Sequence, residues 1–172
     1  MAQSESGNLP EATPIISSRA VLKTAINDWV DNGESIFGPI GSWDVARVTD
    51  FSGLFQKKIG FDDDISAWTT KQVTDMAFMF EGACLFNQDL SSWDVSRVSS
   101  FLGMFQNAGS FNQDLCTGWS TKITATKQEL QDMFDSAKSC PTQADPTRQR
   151  GYVSPLCYVC QSPFLPKTPG IT

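Results

Sequence analysis

The stretch Phe86-Asn87-Gln88-Asp89-Leu90-Ser91-Ser92-Trp93-Asp94-Val95-Ser96-Arg97-Val98-Ser99-Ser100-Phe101-Leu102-Gly103-Met104-Phe105 decides how the chain is read, because it recurs. Trp43, Trp68 and Trp93 are 25 residues apart, and the same step relates Val48, Val73 and Val98. It also relates Phe55, Phe80 and Phe105, then Phe61, Phe86 and Phe111, and finally Ile40, Ile65, Leu90 and Leu115. A step held across five apolar rows implies that like residues stack on like from one unit to the next. Three units open at Ile40, Ile65 and Leu90. A fourth opens at Leu115 but is altered: Cys116-Thr117-Gly118 puts Trp119 four positions after Leu115, where Trp93 follows Leu90 by three. Such an irregularity suits a terminal, capping unit.

A 25-residue unit cannot enclose a core alone and falls short of the roughly 30 residues that a βαβ unit needs. The expected fold is therefore an α/β repeat, a short solenoid with one short parallel strand and one short helical return per unit. The strand is expected at Asn87-Gln88-Asp89-Leu90-Ser91 and its equivalents, Leu90 inward and Asp89 and Ser91 outward. The helical return is expected from Val98 to Phe105, where Val98, Phe101, Leu102 and Phe105 fall at helical spacing. Thr49, Thr74 and Ser99 are placed to cap it.

An open stack exposes apolar rows at both ends, and the sequence offers a cover for each. Val21, Leu22, Ala25, Ile26, Trp29 and Val30 form one stripe of a helix, with Ser17 or Ser18 as N-cap and Asn32-Gly33 as stop. The expected organisation is a flexible leader (1–16), an N-terminal capping helix (17–33), the repeat body (34–139) and a Cys/Pro-rich C-terminal cap and tail (140–172).

These residues resemble the BspA-like leucine-rich repeats, the 25 to 26 residue repeat of bacterial surface lipoproteins that is also common in microalgae. The likeness runs over about residues 36 to 139, and Phe86 to Ser96 carries most of it. Phe61-Asp62-Asp63-Asp64, and Thr69-Thr70 after Trp68, depart from the pattern. The resemblance implies a right-handed leucine-rich-repeat-type solenoid, mostly in secreted or surface proteins, and implies no enzyme activity. No lipid-anchoring cysteine opens the chain.

Composition narrows the function classes. The 172 residues are 40% apolar, with 12 Phe and 5 Trp, enough for the core of one soluble domain. A formal charge of −6 repels phosphate backbones and anionic lipid, so nucleic acid and membrane surfaces are not expected partners. The absence of histidine removes the usual general base and the commonest metal ligand, so no catalytic residue and no cofactor is assigned. No stretch is apolar enough to insert directly into a membrane. Met1-Ala2-Gln3-Ser4-Glu5 carries no basic-then-apolar signal region; whether a signal or transit segment has been removed stays open.

The cysteines stand at 84, 116, 140, 157 and 160. Disulfides are preferred over a thiolate metal site or a redox motif, since no second Cys-x-x-Cys accompanies Cys157 and Cys160. The preferred bridges are Cys116 with Cys140 and Cys157 with Cys160, which need an oxidising compartment. Cys84 is then left as a small packed side chain or an intermolecular link.

Outward side chains should also align. Asp64, Asp89 and Asp114 would form a ladder with neighbours ~5 Å apart, each pair repelling by roughly 1 to 3 kcal/mol. Backbone N–H groups can offset this, as can a Ca²⁺ ion held by Asp62, Asp63, Asp64 and Asp89, or a basic protein partner. Asn87 and Asn112 are expected as a buried amide ladder, Asp44 and Asp94 as turn residues, and the tryptophans as core.

The expected function is non-catalytic protein interaction or assembly at the cell surface or outside the cell, with Asp64, Asp89, Asp114, Ser66 and Ser91 as the contact face. Two alternatives stay open. One is a lumenal accessory subunit of a larger membrane complex, for example a photosynthetic one, in an organelle lumen. The other is a Ca²⁺ or glycan-binding module.

Overall fold

The structure is a computed structural model that describes residues 15–119 together with Ile123 and Met133. The leader over 1–14 and the C-terminal cap over 140–172 lie outside the described residues. The packed body already includes Ile16, 2% exposed, so it begins before the helix boundary read from sequence.

The first element, α1, spans Arg19–Asn32. Ser18 is extended and its side chain accepts a hydrogen bond from the Val21 N–H, while Gly33 closes the helix in the left-handed conformation with its N–H on the Trp29 carbonyl. Leu22, Ala25 and Ile26 are buried along one stripe. A 3₁₀ turn, Ile40–Ser42, follows, and a four-residue helix, α2, spans Cys116–Trp119.

Between them the units pack by row. Phe55, Phe80 and Phe105 stack with centroids 5.3 and 5.5 Å apart and planes within 4° of parallel. Phe61, Phe86 and Phe111 form a second column at 5.7 and 6.0 Å, and rings of the two columns meet within each unit at 4.1, 4.0 and 3.9 Å. Trp43, Trp68, Trp93 and Trp119 are buried. The indole N–H of Trp68 reaches the Ile40 carbonyl, that of Trp93 the Ile65 carbonyl and that of Trp119 the Leu90 carbonyl. Trp68, Trp93 and Trp119 therefore each fill their own unit and peg it to the one before, while the Trp43 indole N–H donates to the Gly38 carbonyl.

The segment expected to be a helical return is a run of tight turns instead. The N–H groups of Phe51, Gly53, Phe55 and Lys57 donate to the carbonyls of Asp75, Ala77, Met79 and Glu81 in the next unit, at 2.9, 2.9, 2.8 and 2.6 Å. Those of Met76, Phe78, Phe80 and Gly82 continue to Ser100, Leu102, Met104 and Gln106 at 2.9, 2.8, 2.8 and 2.8 Å. The interleaved donors close local turns: Leu54 onto Phe51, Gln56 onto Gly53, Lys58 onto Phe55. Left-handed residues recur at Gly53 and Lys57, Phe78 and Gly82, and Gly103 and Asn107.

A helix would spend every amide on its own axis, and a two-turn helix gains little alone. Here half the amides run from unit to unit and the left-handed positions break any helix at each turn. The face differs accordingly: Phe101, Met104 and Phe105 are buried, while Leu102 is 47% exposed.

The strand is displaced as well. No strand forms at 87–91; parallel bridges join Asp50 to Asp75 and Asp75 to Ser100. Thr74 and Ser99 do not cap a helix, because their hydroxyls, with their own N–H groups, donate to the Thr49 and Thr74 carbonyls of the preceding unit.

The ladder needs a donor at its first carbonyls, since no unit precedes Ser52 and Leu54. α1 supplies it. Arg19 donates to the Ser52 carbonyl, and Lys23 donates to the carbonyls of Gly53 and, at 2.9 Å, Leu54. Arg19 also lies 3.3 Å from the Asp50 carboxylate, an ion pair whose Nε is not aligned for a hydrogen bond. Burial, then the nearby charges of Arg19 and Lys58, hold the Lys23 ammonium below the usual lysine range. At the other end Phe105 N–H reaches the Met133 carbonyl at 2.9 Å, as Phe80 N–H reaches Met104. Met133 is buried in the core, so the fourth unit meets this row 29 residues after Met104 (133 − 104).

Candidate functional site

The outer rows next to the tryptophans are built from short acidic and amide side chains, and each has a local reason to be there. The carboxylates of Asp64 and Asp89 accept the N–H of Ser66 and Ser91, both at 2.8 Å, closing the bend that turns the chain toward Ile65 or Leu90. Asp50 and Asp75 do the same for Ser52 and Ala77, and Asp44 and Asp94 for Ala46 and Ser96. Asp64, Asp89 and Asp114 are exposed, and Ser66 and Ser91 half-buried. The backbone N–H of Ser66, then its hydroxyl, hold the Asp64 carboxyl below the usual carboxylate range, against a slight opposing effect of burial.

Two residues earlier the units are tied directly by side chains. The Asp62 carboxylate accepts the Asn87 N–H at 2.8 Å and the Gln88 side-chain amide at 2.9 Å, and that amide also donates to the Asp62 carbonyl. The Asn87 side-chain oxygen accepts the Asn112 N–H at 2.8 Å and the Gln113 amide at 3.1 Å, and Gln113 repeats the bond to the Asn87 carbonyl. This explains Phe-Asn-Gln-Asp chemically. The first amide or carboxylate accepts from the next unit, and the glutamine reaches back. The ladder is not buried as expected, since Asn87 is half-buried and Asn112 exposed, and its first rung is Asp62.

Among the described residues no group of three or more His, Cys, Asp or Glu side chains converges as a metal site, and no helix is long and apolar enough to cross a membrane. Sequence reasoning missed a half-exposed apolar strip on the turn face. Phe78 stands left-handed at φ 54°, where the flanking units have Gly53 and Gly103, and its ring covers Gly103 beside the exposed Leu102. The repeat itself signals this strip: a phenylalanine sits in a row otherwise made of glycine.

Cys84 also differs from expectation. It is 6% exposed and disulfide-bonded, so it is not a leftover thiol in this chain. The side chain of Cys116, and Cys140, Cys157 and Cys160, lie outside the described residues, and with them the two bridges read from sequence.

No curated protein and no solved structure matches the chain. A family model described as "Mycoplasma protein of unknown function, DUF285" matches residues 24–146, which take in the second half of α1, all the stacked units and the altered fourth one. The chain belongs to that family.

Proposed function

We propose that the chain is a short right-handed solenoid of the BspA-like leucine-rich-repeat type, and that it works without catalysis by presenting its outer rows to another protein at the cell surface or outside the cell. The observation that carries this reading is the division of labour around each unit. The amides between units and the buried rings hold the stack, while Asp64, Asp89 and Asp114 stay exposed at one step per unit. A row of carboxylates at regular rise suits a partner with basic side chains at a matching spacing, because electrostatic complementarity sets on-rate and register.

The test is a triple variant, Asp64→Asn, Asp89→Asn and Asp114→Asn, used beside wild type to capture partners from native material. Asparagine can still accept the Ser66 and Ser91 N–H bonds, so the fold should persist while the charge is lost. A partner whose retention falls at least tenfold with the variant, and falls with added salt, supports the reading. An unchanged set of partners contradicts it, and calorimetric heat with Ca²⁺ alone would favour a cation-binding module.

A further inference from the structure

The turn face carries an aromatic ring that the interior does not use. Phe78 stands left-handed at φ 54°, a region bulky side chains seldom enter, whereas its row has glycine at φ 58° and 59° in the flanking units. The ring joins neither buried column of phenylalanines. It lies half-exposed over Gly103, with Ala77 next in the chain and Leu102, 47% exposed, accepting the Phe78 N–H on its carbonyl at 2.8 Å. Backbone strain that packing does not call for gathers at ligand contacts.

Two polar rows flank this strip. Three residues before it stand Asp50, Asp75 and Ser100, and three residues after it stand Gln56, Glu81 and Gln106. Arg19 lies against Asp50 at 3.3 Å. The two carboxylates in the unit of Phe78 are bonded to neutral donors instead: Asp75 accepts the Ala77 N–H at 2.8 Å, and Glu81 accepts the Gln56 amide. Among the described residues neither is ion-paired, and Lys57 meets Glu81 through its backbone N–H, at 2.6 Å. The Phe78 carbonyl accepts the Glu81 N–H at 3.1 Å, which keeps the ring and that carboxylate on one turn.

We infer that this strip is a docking surface distinct from the aspartate rows, and that its occupant is an extended segment of another protein with an arginine between apolar residues, in the pattern Leu-x-Arg-x-Leu. Period-two alternation turns those three side chains to one face. The guanidinium is planar and always charged, so it can stack on the exposed side of the Phe78 ring while donating to Asp75 or Glu81. Its apolar neighbours then rest on Ala77 and Leu102. An acidic segment would meet like charge on both sides of the ring.

The test is an NMR titration of the labelled full chain with a synthetic peptide carrying Leu-Ser-Arg-Ser-Leu at its centre, beside a version with glutamate in place of the arginine. The arginine peptide should give saturable shifts at the amides of Phe78, Glu81 and Leu102, and the glutamate peptide none. Phe78→Gly, which restores the residue of the flanking units, should weaken binding roughly tenfold. Glu81→Gln leaves the ring in place and keeps an acceptor for Gln56; it should weaken binding about threefold. Equal response to both peptides, no saturable shift at these amides, or unchanged affinity in both variants would overturn the inference. Shifts confined to Asp64, Asp89 and Asp114 would also overturn it, while leaving the aspartate rows as the contact face.

Discussion

Two sides of the repeat are held together by different chemistry. On the turn face, 51–57, 76–82 and 101–107, the bonds between units are mainly backbone to backbone, with one side-chain bond from Gln56 to Glu81, and outside the buried rows the residue types vary: Ser52, Ala77 and Leu102 share a row, as do Lys57, Gly82 and Asn107. On the edge from Phe61, Phe86 and Phe111 onward, the bonds between units run through side chains, and there the sequence hardly changes from Phe86 to Leu90 and from Phe111 to Leu115. Outside the buried rows, strict repetition marks where side chains carry the connection. Its absence marks where the backbone does.

The largest break in this contrast should come at Gly103, where the turn face does restrict identity. It sits at φ 59°, and a Cβ would fall 2.6 Å from the Phe78 ring. Gly103→Val combines a left-handed β-branched residue with overpacking and should cost roughly 2 to 5 kcal/mol, read as a fall in denaturation midpoint. Gln106→Ala, three residues along the same face, should stay within about 0.5 kcal/mol.

On the opposite edge Asn87→Ala removes the acceptor for two donors of the next unit and should cost roughly 1 to 2 kcal/mol. Asn87→Asp should recover most of that, because Asp62 already fills the same role one unit earlier. An alanine variant as stable as wild type in urea would remove the distinction between the two sides.

Phe78→Gly sharpens the comparison. Glycine relieves about 1 to 2 kcal/mol of left-handed strain but gives up the ring's cover over Gly103, so the midpoint should move little. A loss as large as that of a core phenylalanine, about 3 to 5 kcal/mol, would mean that the ring is structural and the turn face less tolerant than described.

The smallest effect is electrostatic. The Asp64 carboxyl is held below its ordinary value, so its contribution is present above the unfolded-state value near 4 and is lost as pH falls through the lower folded-state value. An NMR titration should find its midpoint lowered in the native protein and restored in urea. A midpoint at or above the ordinary value would contradict the bond from Ser66.

Much of the interior could be read from spacing alone. The rows of Trp43, Phe55, Phe61 and Ile40 are buried columns, and Ser18 and Gly33 bound α1. The turn face was illegible for a definite reason. Val98, Phe101, Leu102 and Phe105 fall at helical spacing, and periodicity cannot tell a helix from consecutive turns when the deciding bonds go to residues 24 positions away (75 − 51). Arg19 and Lys23 were passed over because a search for an apolar stripe ignores cations, yet they complete the first row of carbonyls. The row of aspartates and its backbone N–H partners are legible in the spacing, while the identity of those partners, the i+2 amides of Ser66 and Ser91 for Asp64 and Asp89, comes from the structure.

The central claim is that half the amides on the turn face bond along the stack. Scalar couplings across hydrogen bonds detect such pairs directly, in a labelled sample. The account predicts couplings from the amide nitrogens of Phe51, Gly53 and Phe55 to the carbonyl carbons of Asp75, Ala77 and Met79, repeated from Met76, Phe78 and Phe80 to Ser100, Leu102 and Met104. Couplings from those same nitrogens to carbonyls four residues earlier, with none between units, would contradict it.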